Sequence, residues 1–204
     1  MHSFSDRQLE IICAAGKILT QDGLAGLTIK KLALEMQFSE SALYRHFESK
    51  EAILVAMLHF LKQNIDQRLS VIVDTDQSIE SKIKAIFDSQ LSFFNTNRHF
   101  LIAVFSDGLL QENQQINQAI LGLMQMKTSH LLPLIAAGQK QLIFTTDIQA
   151  DAILHLFMGS FRLQMLKWKL AHFENDIQFE GQNMIQSILI LIKYLVRKKF
   201  KHRS

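Results

Sequence analysis

Apolar residues recur at i, i+3, i+4 and i+7 along nearly the whole chain, while the punctuation that strands need is scarce: one proline and eight glycines in 204 residues. That spacing is the mark of helices turning one face to a core. Alternating runs bounded by turn clusters, the mark of half-buried strands, are hard to find. An all-α fold follows. With 48% apolar residues, a chain of this length can bury a sizeable core. Cys13 is the single cysteine, so no disulfide can form within the chain, and its apolar helical surroundings make it an expected small core residue. The first residues, Met1-His2-Ser3-Phe4-Ser5-Asp6, do not read as a secretion signal. The most apolar stretch, Ile188 to Val196, is interrupted by Lys193 and is too short to span a bilayer. The expectation is a soluble protein of a reducing compartment, the cytoplasm, with no membrane partner.

Helix starts are well marked near the N-terminus. Ser5-Asp6-Arg7-Gln8 reads as a capping box, followed by Leu9, Ile12, Cys13, Gly16 and Leu19 at helical spacing, with Gly23 and Gly26 closing the helix. Thr28 caps a short second helix that turns Ile29, Leu32 and Ala33 inward. Gln37-Phe38 makes a tight turn, Ser39 caps a third helix burying Ala42 and Leu43, and Ser49 caps a long fourth helix predicted to reach about Leu69. Very short helices joined by minimal turns describe a helix-turn-helix module. It is assigned to residues 1–50, with the motif at 28–47, and residues 51–204 to a helical bundle. A polar connection is expected over 71–78, then helices near 79–94, 98–107, 113–137, 147–171 and 181–200, with Pro133 kinking or dividing the third of these.

The run Ser39-Glu40-Ser41-Ala42-Leu43-Tyr44-Arg45-His46-Phe47 carries the functional signal. A core helix has no need of a polar tip such as Tyr44-Arg45-His46. Leu43 and Phe47, four residues apart, anchor one side. Glu40, Ser41, Arg45 and His46 take other directions, and small residues at Ser41 and Ala42 permit close approach to base edges and thymine methyls in a major groove. Tyr44 and His46 can donate to phosphates. Thr28 and Lys50 stand at helix starts, where free N–H groups favour an anion. Lys30 and Ser39 complete the candidate DNA-contacting set.

Leu27 to Leu54, LTIKKLALEMQFSESALYRHFESKEAIL, resembles the DNA-binding module of the TetR/AcrR family of bacterial transcriptional regulators. The matching features are Thr28, Leu32-Ala33, Ser39, Leu43-Tyr44, His46-Phe47 and Lys50-Glu51, with Ala14-Ala15 and Gly23 upstream. The resemblance implies a dimer on a palindromic operator, with a variable helical domain that binds a small molecule. It also implies phosphate contacts at Thr28, Tyr44, His46 and Lys50 and positions near bases at Glu40, Ser41, Ala42 and Arg45. The family usually has Gly where this chain has Gln37. The SALYRHF run with Ser49-Lys50 also looks like the nucleoid-occlusion members, which bind many chromosomal sites and act on cell division.

Charge gives little support by itself. The net charge is +3, yet Lys193, Arg197, Lys198, Lys199, Lys201 and Arg203 supply +6 with no acid beyond 193, leaving −3 for the rest. The first fifty residues balance six basic against six acidic side chains. The basic end reads as a frayed, solubilising tail, although with Ile188–Val196 it also admits a membrane-associated reading.

Residues 152–168 and 185–195 are apolar nearly all round, so both helices need cover on every side. One chain covers one side. A second copy is expected to cover the other in a four-helix interface through Ile153, Phe157, Phe161, Ile185, Ile188, Leu189, Ile192 and Leu195. Fifteen Phe and eight Met suit a greasy effector pocket, with Phe87, Phe94, Phe100, Phe105, Met124, Phe144 and Phe161 as candidate lining. No charged residue stands out as a ligand anchor, and the expected effector is a small hydrophobic or aromatic molecule. Asp147, Asp151 and His155 share a helical face, but acids in a first turn are ordinary dipole partners, so no metal is assigned. His99 and His130 have no evident partners. Neither catalytic motif nor cofactor signature is found, and an enzyme is not expected.

Overall fold

A computed structural model describes residues 4–105 and 113–201, with side chains described to Lys193. The described residues form α1 (Asp6–Gly26), α2 (Ile29–Met36), α3 (Glu40–Tyr44), α4 (Lys50–Val73), α5 (Ile79–Thr96), α6 (Arg98–Val104), α7 (Gln114–Lys140), α8 (Ala150–Leu170) and α9 (Ile177–Lys201), with no strand among them. The bundle helices fall where the apolar spacing puts them. Several limits move: α4 runs on to Val73, into the segment expected to be a connection, α7 continues through the exposed Pro133 to Lys140 without being divided, α8 starts only at Ala150, and α9 starts already at Ile177.

Two compact units emerge. The first is Met1–Asn64 with Asn97–Met124, so α6 and the start of α7 belong with the N-terminal module. Its core is Ile11, Ile12, Ala15, Ile18 and Leu19 of α1, Leu32 and Ala33 of α2, Leu43 of α3, and Ile53, Leu54, Met57 and Leu61 of α4. Burying each of the large ones contributes about 1.5–3 kcal/mol. Cys13 departs from expectation. It is exposed, because Ile11, Ile12, Ala14 and Ala15 on either side take the inward directions of α1. Gly23 does not end α1 but kinks it, at φ 66 and ψ −168, a conformation that side chains with a Cβ rarely adopt. The His99 ring of α6 lies against Gly16 and beside Phe100, and burial holds its pKa below the ordinary value.

The second unit is Ile65–Thr96 with Gln125–Ser204. Here α9 packs on α5 and α8. A Cβ at Gly181 would stand 2.5 Å from the Leu91 side chain, so glycine there lets α9 approach α5. The Lys193 ammonium donates to Glu80 (2.7 Å) across the same pair and, with that hydrogen bond as first cause, holds the Glu80 carboxyl below its usual range. The Trp168 indole N–H donates to the Asn175 carbonyl (3.0 Å) and closes the α8–α9 turn. His130, for which the sequence offers no evident partner, has its Nε2 2.7 Å from a carboxylate oxygen of Asp66.

Between α2 and α3, Gln37 is left-handed (φ 55, ψ 41). The Phe38 N–H donates to the Ala33 carbonyl (2.8 Å) and the Gln37 N–H to the Leu34 carbonyl (3.1 Å), the pairing that closes a helix on a left-handed residue. The Gln37 side chain is exposed and makes no hydrogen bond among the described residues. Replacing Gln37 by Gly removes a left-handed penalty of about 1 kcal/mol and adds a comparable unfolded-state entropy. Gln37→Gly is therefore expected to leave the melting temperature unchanged or slightly raised. A drop of several degrees in thermal denaturation contradicts this account of the turn.

Candidate nucleic-acid interface

Each short helix of the module starts on a side-chain cap. The Ser5 hydroxyl accepts from the Gln8 N–H while Gln8 accepts from the Ser5 N–H. The Lys31 N–H donates to Thr28 Oγ1 (3.1 Å), the Ala42 N–H to Ser39 Oγ (3.2 Å) and the Ala52 N–H to Ser49 Oγ (3.1 Å). Such caps are worth about 1 kcal/mol each. They fix where α2, α3 and α4 begin and hence which residues stand at each start.

In α3, Leu43 and Phe47 are buried, so the helix is pinned from behind. Opposite them, Glu40, Ser41 and Arg45 are exposed, Ala42 and His46 are half-buried, and Tyr44 is 52% exposed. The Ser39 and Ser41 hydroxyls lie 2.9 Å apart. Thr28 and Lys30 are exposed and Lys50 is half-buried. The predicted contact residues thus sit at the starts of α2 and α4, in the body of α2 and along α3. Leu34, exposed on the last turn of α2, is missing from the sequence-based set. Its position off the Ile29, Leu32, Ala33 and Met36 face is the signal that could have found it, and an outward apolar residue there suits a thymine methyl.

The balance of charge in the module changes once pairing is considered. Arg7 pairs with Glu10, Lys17 with Glu35 (3.5 Å) and Lys31 with Asp22 (2.7 Å). Arg7 also lies over the Phe38 ring, 5.0 Å from its centroid. Lys30, Arg45 and Lys50 have no ion-pair partner among the described residues. Internal pairing therefore consumes the cations away from the tip of α3 and leaves unneutralised those predicted to meet DNA.

The other predicted sets are redistributed. Of the pocket candidates, Phe100, Phe105 and Met124 belong to the first unit, and Phe87, Phe94, Phe144 and Phe161 to the second. Phe100 lines an open groove with Ile12, Cys13, Gly16, Phe60 and His99. Met124 is exposed, and Phe144 packs tightly on Gly138. Phe87 and Phe161 meet at a tilt within one cluster, their centroids 5.4 Å apart. Of the interface candidates, Ile153, Phe157, Phe161, Ile185, Leu189 and Ile192 fill the core of the chain's own second unit and are not available to a partner. Ile188 is half-buried, and the side chain of Leu195 lies outside the described residues. The apolar side chains that do face outward are Leu156, Leu163 and Leu170 on α8 (40%, 58% and 68% exposed) and Phe179, Ile190 and Leu191 on α9. Contrary to what the spacing suggests, Asp147 lies before the start of α8 and so does not share a helical face with Asp151 and His155; the His155 ring contacts the Asp151 carbonyl, and Asp147 contacts the Thr145 hydroxyl.

Residues 11–57 match the family described as bacterial regulatory proteins, tetR family. Over 185 residues, 86% of this chain and 92% of the relative, the sequence is 28% identical to the nucleoid occlusion factor SlmA of Shewanella pealeana. It is 29% identical over 183 residues, with the same coverage, to SlmA of Shewanella frigidimarina. The fold is similar to that of the fatty acid degradation regulator FadR of Bacillus halodurans (TM-score 0.83, 16% identity, 92% of this chain and 97% of that one). It is also similar to FadR of Bacillus subtilis, solved with stearoyl-CoA (TM-score 0.79, 15% identity, 89% and 97% covered). The capped three-helix module and the outward tip of α3 agree with these matches: over residues 11–57 the chain carries the module described for the bacterial regulatory proteins, tetR family.

Proposed function

We propose that the chain is a dimeric repressor of the bacterial cytoplasm, released from a palindromic operator when a small hydrophobic effector enters its helical domain. The observation that carries the DNA-binding part is the tip of α3. Leu43 and Phe47 hold it from behind, while Tyr44, Arg45 and the flanking Lys30 and Lys50 face outward with no internal ion pair among the described residues. Cations left free in this way neutralise phosphates and release counterions. Ser41 and Ala42 are small enough to let α3 approach base edges. The effector reading is supported by the phenylalanine-rich second unit and by a neighbour of the same fold solved with stearoyl-CoA.

The partner in the dimer is a second copy seated on the outward face of α8 and α9. Leu156, Leu163 and Leu170 recur every seven residues, the repeat of helices packed side by side. Gly159 lies between the first two, with open space where a Cβ would stand. This face replaces the predicted set headed by Ile153 and Phe157.

A second reading has its own support. The SlmA relatives are matched over nearly their full length, and they favour a protein that binds many dispersed chromosomal sites without an effector. Sequencing of sheared genomic DNA captured by the purified protein, at about 0.15 M salt where phosphate contacts are not exaggerated, separates the two. One or a few enriched palindromes near a promoter support the local repressor, and dozens of dispersed sites support the other reading. The double substitution Tyr44→Ala with His46→Ala is expected to abolish capture while sedimentation still reports a dimer. Unchanged DNA affinity contradicts the placement of the interface on α3. Leu163→Glu is expected to halve the sedimenting mass with helicity retained, since this side chain lies outside the subunit's own core. A dimer that survives the substitution puts the interface elsewhere.

A further inference from the structure

The interior of the second unit contains a lysine ammonium that no described residue neutralises. Lys127 of α7 is buried at 7% exposure. Its ammonium lies 5.4 Å from the ring centroid of Phe161 on α8 and 5.9 Å from that of Phe94 on α5. It forms no ion pair or hydrogen bond among the described residues. The charged side chains acting on it are themselves positive, Arg68 from α4 and Arg162 from α8. Burial first, and these two charges second, pull its pKa down to about 7. The nearest acid–base pair on α7, His130 with Asp66, is closed on itself.

One turn before Phe94, Gln90 of α5 is fully buried with neither amide atom hydrogen-bonded. It sits on the same buried face of α5 as Phe87, whose ring meets both Phe157 and Phe161. Leaving such a group unsatisfied costs about 1–3 kcal/mol. An apolar layer of phenylalanines therefore holds one uncompensated ammonium and one amide with a free N–H. An anion that accepts hydrogen bonds supplies what each lacks, a negative charge for the ammonium and an acceptor for the amide N–H.

We infer that Lys127 and Gln90 receive the carboxylate of an amphiphilic ligand whose apolar part lies among Phe87, Phe94 and Phe161. This rests on the effector reading above and gives it a chemical class: a monocarboxylate with a hydrophobic body rather than a neutral hydrophobe. Two cation–aromatic contacts keep the ammonium tolerable before the ligand arrives. The carboxylate then supplies the missing charge.

The test is calorimetric titration of the full chain, without DNA, with octanoate and with octan-1-ol, which share a tail and differ in the head. Octanoate is expected to bind about tenfold or more tightly than the alcohol at pH 7. Lys127→Met, of similar volume, is expected to fold and to erase that preference by weakening octanoate alone, and Gln90→Leu to weaken octanoate less. Since the bound form needs the ammonium, wild-type affinity for octanoate falls as pH rises from 7 to 8.5, and the Met variant loses that dependence. Equal binding of acid and alcohol, no binding of octanoate, or a preference that survives Lys127→Met each overturns the assignment. DNA is absent from the titration, so the outcome for the carboxylate site is independent of whether the chain captures any operator.

Discussion

A helix of five residues cannot sustain itself, because its first turn fixes several dihedrals for a single hydrogen bond. The working end of this protein depends on how α3 is nevertheless held. The Ser39 hydroxyl satisfies one orphan N–H, and Leu43 and Phe47 bury the inner side. Left-handed Gln37 turns the chain so sharply after α2 that the two helices pack directly. Once that side is buried, the opposite side has to face outward. The exposure of Ser41, Tyr44 and Arg45 is a consequence of the anchor, and it leaves the tip available to a groove.

Electrostatics acts on the same geometry in a way that net charge conceals. The module carries equal numbers of acids and bases over its first fifty residues, a composition that argues against an affinity for phosphate. Pairing is local, however, and screened attraction is dominated by the nearest charges. Glu10, Asp22 and Glu35 neutralise Arg7, Lys31 and Lys17. Exposed pairs of this kind contribute little to stability. Their larger effect is to leave a field at Lys30, Arg45 and Lys50.

What the sequence makes legible follows from how local each cause is. The caps at Ser5, Thr28, Ser39 and Ser49 are decided within four residues, and all four form. The left-handed turn at Gln37 is equally local. The neighbours of a helix face are not. On α8, Ile153, Phe157 and Phe161 run along one side and Leu156, Leu163 and Leu170 along another, both at helical spacing. Periodicity states that two apolar faces exist, and only tertiary packing assigns the first to the core. The exposure of Cys13 has the same origin. Lys127 and Gln90 are a different kind of omission. Lys127 falls four residues after buried Leu123 and four before buried Leu131, and Gln90 between Phe87 and Phe94. A polar residue in the register of an apolar stripe is visible without coordinates, yet each stands alone in its own helix, where a single polar residue signals nothing. Only folding brings the two into one aromatic layer.

The modest charge of the reading head bears on why a second copy matters. Three free cations on one module give a weak, salt-sensitive hold on DNA. In the proposed dimer, joining two modules through the outward faces of α8 and α9 makes the second engagement intramolecular, so a pair of weak contacts gains affinity without any new contact. The leucine face and the sparse cations of the head then belong to one design. A head that bound tightly alone would grip DNA anywhere. A head that needs its twin is confined to sites where two half-sites stand at the spacing that the dimer sets.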